Sequence, residues 1–290
     1  MQAQAVTSEV APALLVSPDG MLGRAFERLL ASRAIAHRGA SWPAFDLTRP
    51  DTVEPLMRPG IRTIVNCSAW TDVDGAEANE AEATSINGDG VALLAAHARR
   101  IGAVLVHFST DYVFDGRASS PYRVDHPISP VNAYGRSKAA GEAAIRASGC
   151  EHVIVRTSWL YAPWAKNFVR TMLALGSRQE SIRVVADQLG RPTSAEYLAA
   201  RTLALVERGA RGTFHVTDGG IASWYELASA VMELSGTPCR VEPCTSAEHV
   251  RAAVRPAYSV LDLSAAETLI GPSTDWRENV ASVLARVEPA

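Results

Sequence analysis

Residues 13–23 read ALLVSPDGMLG, and the rest of the fold can be read outward from them. The apolar run ALLVS (13–17) enters a turn at Pro18-Asp19-Gly20. An amphipathic helical pattern follows through Leu22, Phe26, Leu29 and Leu30. A short apolar strand, a glycine-bearing turn and a helix open a βα unit. A turn of the form G-x-x-G-x-x-G would place glycines at 17, 20 and 23; here Ser17 stands first, with Gly20 and Gly23 after it. Gly20 would let a pyrophosphate approach the backbone, and Gly23 would let the helix lie close to the sheet. The helix N-terminus would offer free N–H groups and a partial positive charge. With its first glycine missing, the stretch also reads as an ordinary βα turn.

Downstream, strand and helix patterns alternate. AIAH (34–37) predicts a second strand, RTIVNCSA (62–69) a third, AVLVHFS (103–109) a fourth and HVIVRTS (152–158) a fifth. Helical sequence fills about 76–100 and 134–148, and a weak helix covers 50–58. This rhythm predicts an α/β fold, a Rossmann-like doubly wound parallel sheet with helices on both faces. A loop rich in Pro, Asp and Ser runs from the fourth strand to Asn132, and loops this long tend to be functional. Beyond about 160 the rhythm loosens. Helices are expected near 166–176, 193–208, 223–235 and 275–287, with short strands near 182–186, 213–217 and 239–242. The expected division is a dinucleotide-binding domain over 11–160 and a smaller C-terminal α/β substrate lobe over 161–290, partly interleaved with the first.

Composition narrows the classes. The 290 residues carry 28 basic and 31 acidic side chains, a net charge of −3. That balance argues against a nucleic-acid partner, which would want a basic patch. Four cysteines without zinc spacing suit a reducing compartment. No apolar stretch approaches the ~18 residues of a membrane span. MQAQAVTSEV (1–10) reads as a frayed lead-in, not a signal peptide. A cytoplasmic protein, monomer or homodimer, is expected. Only two of the basic residues are lysine, Lys138 and Lys166, so each stands out against an arginine-rich background.

Tyr134 and Lys138 are four apart at the start of a predicted helix, and therefore share a face. Composition alone predicts about 0.05 such Tyr–Lys pairs in a chain like this. An ammonium beside a phenol stabilises phenolate and lowers the phenol's pKa, and it can also hold a ribose hydroxyl. The fourth strand runs out into Ser109-Thr110-Asp111-Tyr112, at the sheet edge where ligands of such folds bind. Thr110 is placed to bond a substrate oxygen together with Tyr134. After the second strand, an acid would bind a ribose 2′-hydroxyl and an Arg a 2′-phosphate. His37 and Arg38 stand there, which leans toward NADP; they also read as two solvated surface residues.

The chain resembles the extended short-chain dehydrogenase/reductases, and among them the dTDP-4-dehydrorhamnose reductase family. The resemblance rests on NCSAWTDVDGAE (66–77), HFSTDYVFDG (107–116), SPVNAYGRSKAAGE (129–142), VRTSWLY (155–161), NFVRTML (167–173), VVADQLGRPTSAEYLA (184–199) and TFHVTDGGIASWYELA (213–228), in family order. It implies hydride transfer from NADPH, with NADH as the alternative, to the C4 ketone of a dTDP-6-deoxy-4-keto sugar. It implies that Tyr134 donates the proton, Lys138 holds the nicotinamide ribose and tunes Tyr134, and Thr110 orients the carbonyl. By the same resemblance Gly20, Met21 and Leu22 line the pyrophosphate, where the Ser17 hydroxyl could bond a phosphate oxygen, while Arg38 is a cofactor candidate from its place after the second strand alone. Asp46 and Leu47 would meet the adenine, and Ser68, Ala69 and Thr71 would follow the cofactor. Asp111, Tyr112, Trp159, Asn167 and Gln188 would face the sugar nucleotide.

Three departures stand out. Ser17 replaces the family's first glycine. Ala25 stands where a magnesium-linked family dimer uses a Glu, so Glu196 alone makes no metal site and no metal is expected. Trp70 replaces a common His. A 4,6-dehydratase would need a Glu after Asp111, where Tyr112 stands. An epimerase-reductase would need a Cys and a His for proton exchange, a role for which Cys67 is poorly placed. The alternatives kept open are a non-catalytic regulatory or scaffold subunit of the same fold, and a reductase of a different 4-keto sugar nucleotide.

Overall fold

The computed structural model describes residues 9–287; most of the lead-in expected at 1–10 lies outside them. In chain order the main elements are β1 (Ala13–Val16), α1 (Met21–Ser32), β2 (His37–Ala40), β3 (Thr63–Asn66), α2 (Gly90–Ile101), β4 (Val104–Thr110), α3 (Ala133–Ser148) and β5 (His152–Thr157). They continue with α4 (Phe168–Gly176), β6 (Ser181–Val185), α5 (Ala195–Glu207), β7 (Gly212–His215), α6 (Trp224–Ser235), β8 (Arg240–Cys244), α7 (Ser264–Ile270) and α8 (Trp276–Leu284). Six strands form one parallel sheet in the order β7-β5-β4-β3-β1-β2.

The expected Rossmann-like doubly wound sheet is what forms, and the strand sequences explain it. Side chains alternate across a strand. Leu15, Val65, Val106 and Val155 face one layer with Phe26 and Leu30 of α1 and Leu198 and Leu203 of α5. Leu14, Val16, Ile64, Leu105 and Ile154 face the other, against Leu94, Ala95 and Ala98 of α2 and Ile145 of α3. Strands buried on both faces carry no polar stripe, which is why ALLV (13–16) and VLV (104–106) read as short continuous apolar runs.

The second strand lies later than expected, at His37–Ala40 and not at 34–37. Its partner sets the register: Ala13 pairs with His37 and Val16 with Ala40. Ala34 has a φ of +52° and turns the chain before the strand begins. From the later sequence, β7 joins the central sheet beside β5, while β6 and β8 pair with each other. A third apolar cluster forms around Tyr161, Met172, Leu227, Val231 and Trp276.

Candidate active site

A cavity of about 740 Å³ opens at the carboxyl ends of β1, β3, β4 and β5. Strands that end together leave a crevice where loops from neighbouring βα units diverge. Ser17, Gly20, Met21 and Leu22 line one end of it, and Thr110, Asp111, Tyr112, Tyr134, Lys138 and Trp159 the other; Ser68, Ala69 and Thr71 lie among its walls.

The turn after β1 has the shape a dinucleotide needs. Ser17 takes a φ of +58°, the left-handed conformation for which glycine is the usual residue, so the chain adopts the turn at the cost of some strain. A Cβ on Gly23 would stand 1.8 Å from the Ser17 carbonyl oxygen, so only glycine lets α1 pack this closely. At Gly20 a Cβ would meet only that same oxygen, at 3.5 Å, so the space in front of the turn is open. No side chain caps α1, and its first N–H groups stay available for an anion. Asp19 also lines this end, with its carboxylate accepting a bond from Ser41 Oγ at 3.2 Å.

The expected catalytic residues meet because α3 starts hard against the turn that follows β4. Asn132 caps the helix, its Oδ1 accepting from the Gly135 N–H at 2.7 Å. A Cβ on Gly135 would stand 2.2 Å from the Tyr112 carbonyl oxygen, so glycine permits the contact. Tyr134 then shares the cavity wall with Thr110 and stands edge-on to Tyr112, ring centroids 6.3 Å apart. Thr110 Oγ1 donates to Asp111 Oδ1 at 2.9 Å and accepts from the Tyr112 N–H at 3.1 Å. Lys138 is buried one turn beyond Tyr134, with Nζ 3.4 Å from Nε2 of His107 on β4.

The electrostatics differ from the expectation of a phenol lowered by its lysine. Burial, and then the Asp111 carboxylate, hold the Tyr134 phenol above its ordinary range, with the Thr110 bond opposing them. Burial pushes Lys138 down to about 8, with Glu142 acting the other way, and pushes Asp111 up to about 6, against the bonds from Ser259 and Thr110. A phenol so placed stays protonated, the state needed to give a proton to a forming alkoxide.

Five of the expected site residues lie away from the cavity wall. The Arg38 guanidinium donates to the Leu56 carbonyl, and neighbouring His37 pairs with Glu27. Asp46 turns back on Thr48, and Leu47 is buried in the core. Asn167 caps α4 and ties its own loop, donating to the Ala162 carbonyl at 2.8 Å. Gln188 donates to Ser246 Oγ at 2.8 Å.

Two further residues of the wall are not among the expected site residues, although Trp224 lies within the matching stretch 213–228. Trp224, at the start of α6, stacks on Trp159 with centroids 3.7 Å apart. Arg255 reaches the cavity from a segment that crosses the site, held by Asp74 at 3.1 Å and by Asn132 Nδ2 donating to the Val254 carbonyl. Neither belongs to a spacing pattern: each lies about a hundred residues from the Tyr–Lys pair. Glu196 pairs with Arg286, and among the described residues no three His, Cys, Asp or Glu side chains gather as a metal site. No helix among them is long and apolar enough to cross a membrane.

The family model described as RmlD substrate binding domain matches residues 13–288. A probable dTDP-4,6-dihydroxy-2-methyloxan-3-one 4-ketoreductase of Streptomyces antibioticus is 43% identical over 273 residues, covering 91% of this chain and 91% of that protein. A dTDP-4-dehydrorhamnose reductase of Streptomyces griseus is 41% identical over 275 residues, covering 91% of this chain and 90% of its own length. The crystal structure of the Bacillus anthracis dTDP-4-dehydrorhamnose reductase in complex with NADP superposes with a TM-score of 0.90 at 33% identity, over 94% of this chain and 98% of that one.

Proposed function

This chain belongs to the dTDP-4-dehydrorhamnose reductase family, and we propose that it reduces the C4 ketone of a dTDP-6-deoxy-4-keto sugar with NADPH. The carrying observation is the convergence of Thr110, Tyr134 and Lys138 on one cavity whose far end is a bare helix N-terminus beside Ser17 and Gly20. The dinucleotide supplies the hydride; a relative that holds NADP supports NADPH over NADH.

Tyr134 is the acid. Its phenol, kept protonated by burial and by Asp111, gives its proton to the oxygen that gains charge as the carbonyl is reduced. Thr110, held in place by the Tyr112 N–H, orients that oxygen by turning toward it the hydroxyl proton that otherwise rests on Asp111. Lys138 holds ribose hydroxyls and steadies the phenolate that proton transfer leaves. Ser68, Ala69 and Thr71 bind along the cofactor, while Ser17, Gly20, Met21 and Leu22 take the pyrophosphate. The Trp159–Trp224 stack offers a flat apolar wall to the deoxysugar. Arg255, held by Asp74, supplies a cation for the nucleotide diphosphate. In this reading residues 11–160 serve the cofactor and 161–290 the sugar nucleotide, and the protein works in the cytoplasm as a monomer or homodimer.

The test is NADPH oxidation on dTDP-4-keto-6-deoxyglucose, with and without a 3,5-epimerase, with NMR identification of the product. Turnover to a 4-hydroxy sugar nucleotide supports the reading. No oxidation on either substrate would favour the scaffold alternative.

A further inference from the structure

His107 lies fully buried in the middle of the central sheet, between Asn66 on β3 and Lys138 on α3. The hydrogen bonds around it run in one direction. The Ser68 N–H donates to Asn66 Oδ1 at 3.1 Å, which fixes the orientation of the amide. Asn66 Nδ2 then faces His107 Nδ1 at 3.1 Å. An amide nitrogen can only donate, so Nδ1 must accept, and the ring proton of a neutral imidazole must sit on Nε2. Burial and the nearby Lys138 hold His107 well below its ordinary pKa, so the ring is neutral. The Nε2–H therefore points at Lys138 Nζ, 3.4 Å away.

An ammonium has no lone pair to receive that N–H, whereas a free amine has one. We propose that His107 is a positioning residue for Lys138: Asn66 locks its proton on Nε2, and this fixed N–H favours the uncharged amine. The other ionisable groups around Lys138 are few. On its own helix are Tyr134, a protonated phenol, and Glu142, which pulls the other way but is claimed by Arg156 of β5 and by Arg146. Asp111 stands at the end of β4. Cys67, in the loop after β3, is held as a thiol by burial, and Arg255 lines the cavity from the crossing segment. The fixed N–H adds to the effect of burial on Lys138. The consequence for catalysis is a lysine that holds its proton loosely and can return one to the Tyr134 phenolate after each turnover. That role rests on the ketoreductase reading, whereas the measurements below need neither substrate nor cofactor.

The protein has two lysines and seven histidines, few enough for selective labelling. In ¹⁵N-histidine-labelled protein, with the His107 signal identified by its loss in His107→Gln, Nε2 should show the shift of a protonated nitrogen and Nδ1 that of an acceptor. In ¹³C-lysine-labelled protein, with Lys166→Arg for assignment, Lys138 should titrate near 8 or below. Asn66→Asp keeps the acceptor for Ser68 and turns the donor to His107 into an acceptor. The ring proton should then move to Nδ1, and the Lys138 midpoint should rise by about one pH unit. A wild-type proton on Nδ1 overturns the proposal, as does a variant in which Lys138 shifts while the His107 proton stays on Nε2. If Asn66→Asp does not fold, the wild-type tautomer decides alone.

Discussion

Trp159 and Trp224 stack with centroids 3.7 Å apart and ring planes 11° from parallel, and both face the cavity that holds Tyr134. Trp159 keeps its place under a φ of +48°, and Gly190 lies so close that a Cβ there would stand 2.7 Å from the indole ring. Trp224→Ala removes half of this stacked wall without touching Tyr134. Aromatic contacts of this kind contribute about 0.5–1.5 kcal/mol beyond their buried area. KM for the sugar nucleotide should therefore rise roughly 3- to 10-fold with kcat changed much less. Steady-state kinetics check this; an equal fall in kcat at constant KM would place the stack in the chemical step instead.

Arg38 donates to the Leu56 carbonyl and does not line the cavity. Arg38→Ala should leave the ratio of kcat/KM for NADPH to that for NADH within about 3-fold of the parent, since loss of a bidentate phosphate contact would cost far more. A collapse of NADPH preference would mean that the guanidinium leaves Leu56 when the cofactor binds.

Glu142 and Arg156 form a buried ion pair at 2.8 Å, with both side chains 1% exposed or less. Burial alone would raise the Glu142 carboxyl, but Arg156, Ser109 and Arg146 outweigh it and leave it below its ordinary range. A carboxyl lowered on folding stabilises at pH above the ordinary carboxylate range, and that contribution is lost as pH falls through its folded value. Glu142→Gln leaves the guanidinium buried without its countercharge. Near neutral pH it should cost about 3–5 kcal/mol in urea unfolding, with the gap to the parent narrowing in acid. A gap independent of pH would remove the ionic contribution.

The basic limb of kcat/KM should belong to Lys138 and not to Tyr134. The Tyr134 phenol is held above its ordinary range and stays protonated well past neutrality, while the Lys138 ammonium loses its proton at about 8. As pH rises past that point the ammonium that steadies the phenolate is lost, so kcat/KM should fall about tenfold per pH unit. A profile flat to pH 10 would contradict this assignment.

The sequence made some parts of this molecule legible and hid others, for physical reasons. Doubly buried strands advertise themselves as apolar runs, so the first, fourth and fifth strands match their expected ranges within a residue, while the third starts one residue late and ends three residues early, at Asn66. The second was misplaced because HRGA carries no apolar signal: at the sheet edge it is held by pairing with β1. Tyr134 and Lys138 were legible because helix geometry converts a spacing of four into adjacency, and Thr110 because strand ends border the crevice. Asn167 and Gln188 carry no spacing signal of their own beyond the resemblance, and their side chains are occupied by helix capping and by Ser246. Trp224 and Arg255 come to the wall through tertiary folding of distant segments, which no local pattern encodes. The direction of the Tyr134 shift also needed coordinates, since it depends on how deeply the hydroxyl and Asp111 are buried together.

The central claim is that Tyr134 delivers the proton. The most direct measurement is single-turnover reduction of the 4-keto sugar nucleotide by Tyr134→Phe, with NADPH binding followed separately by fluorescence. The account predicts that cofactor affinity stays within about 3-fold while the rate falls by roughly 10²–10⁴. A Tyr134→Phe protein that binds NADPH normally and reduces the ketone at close to the parent rate would contradict it.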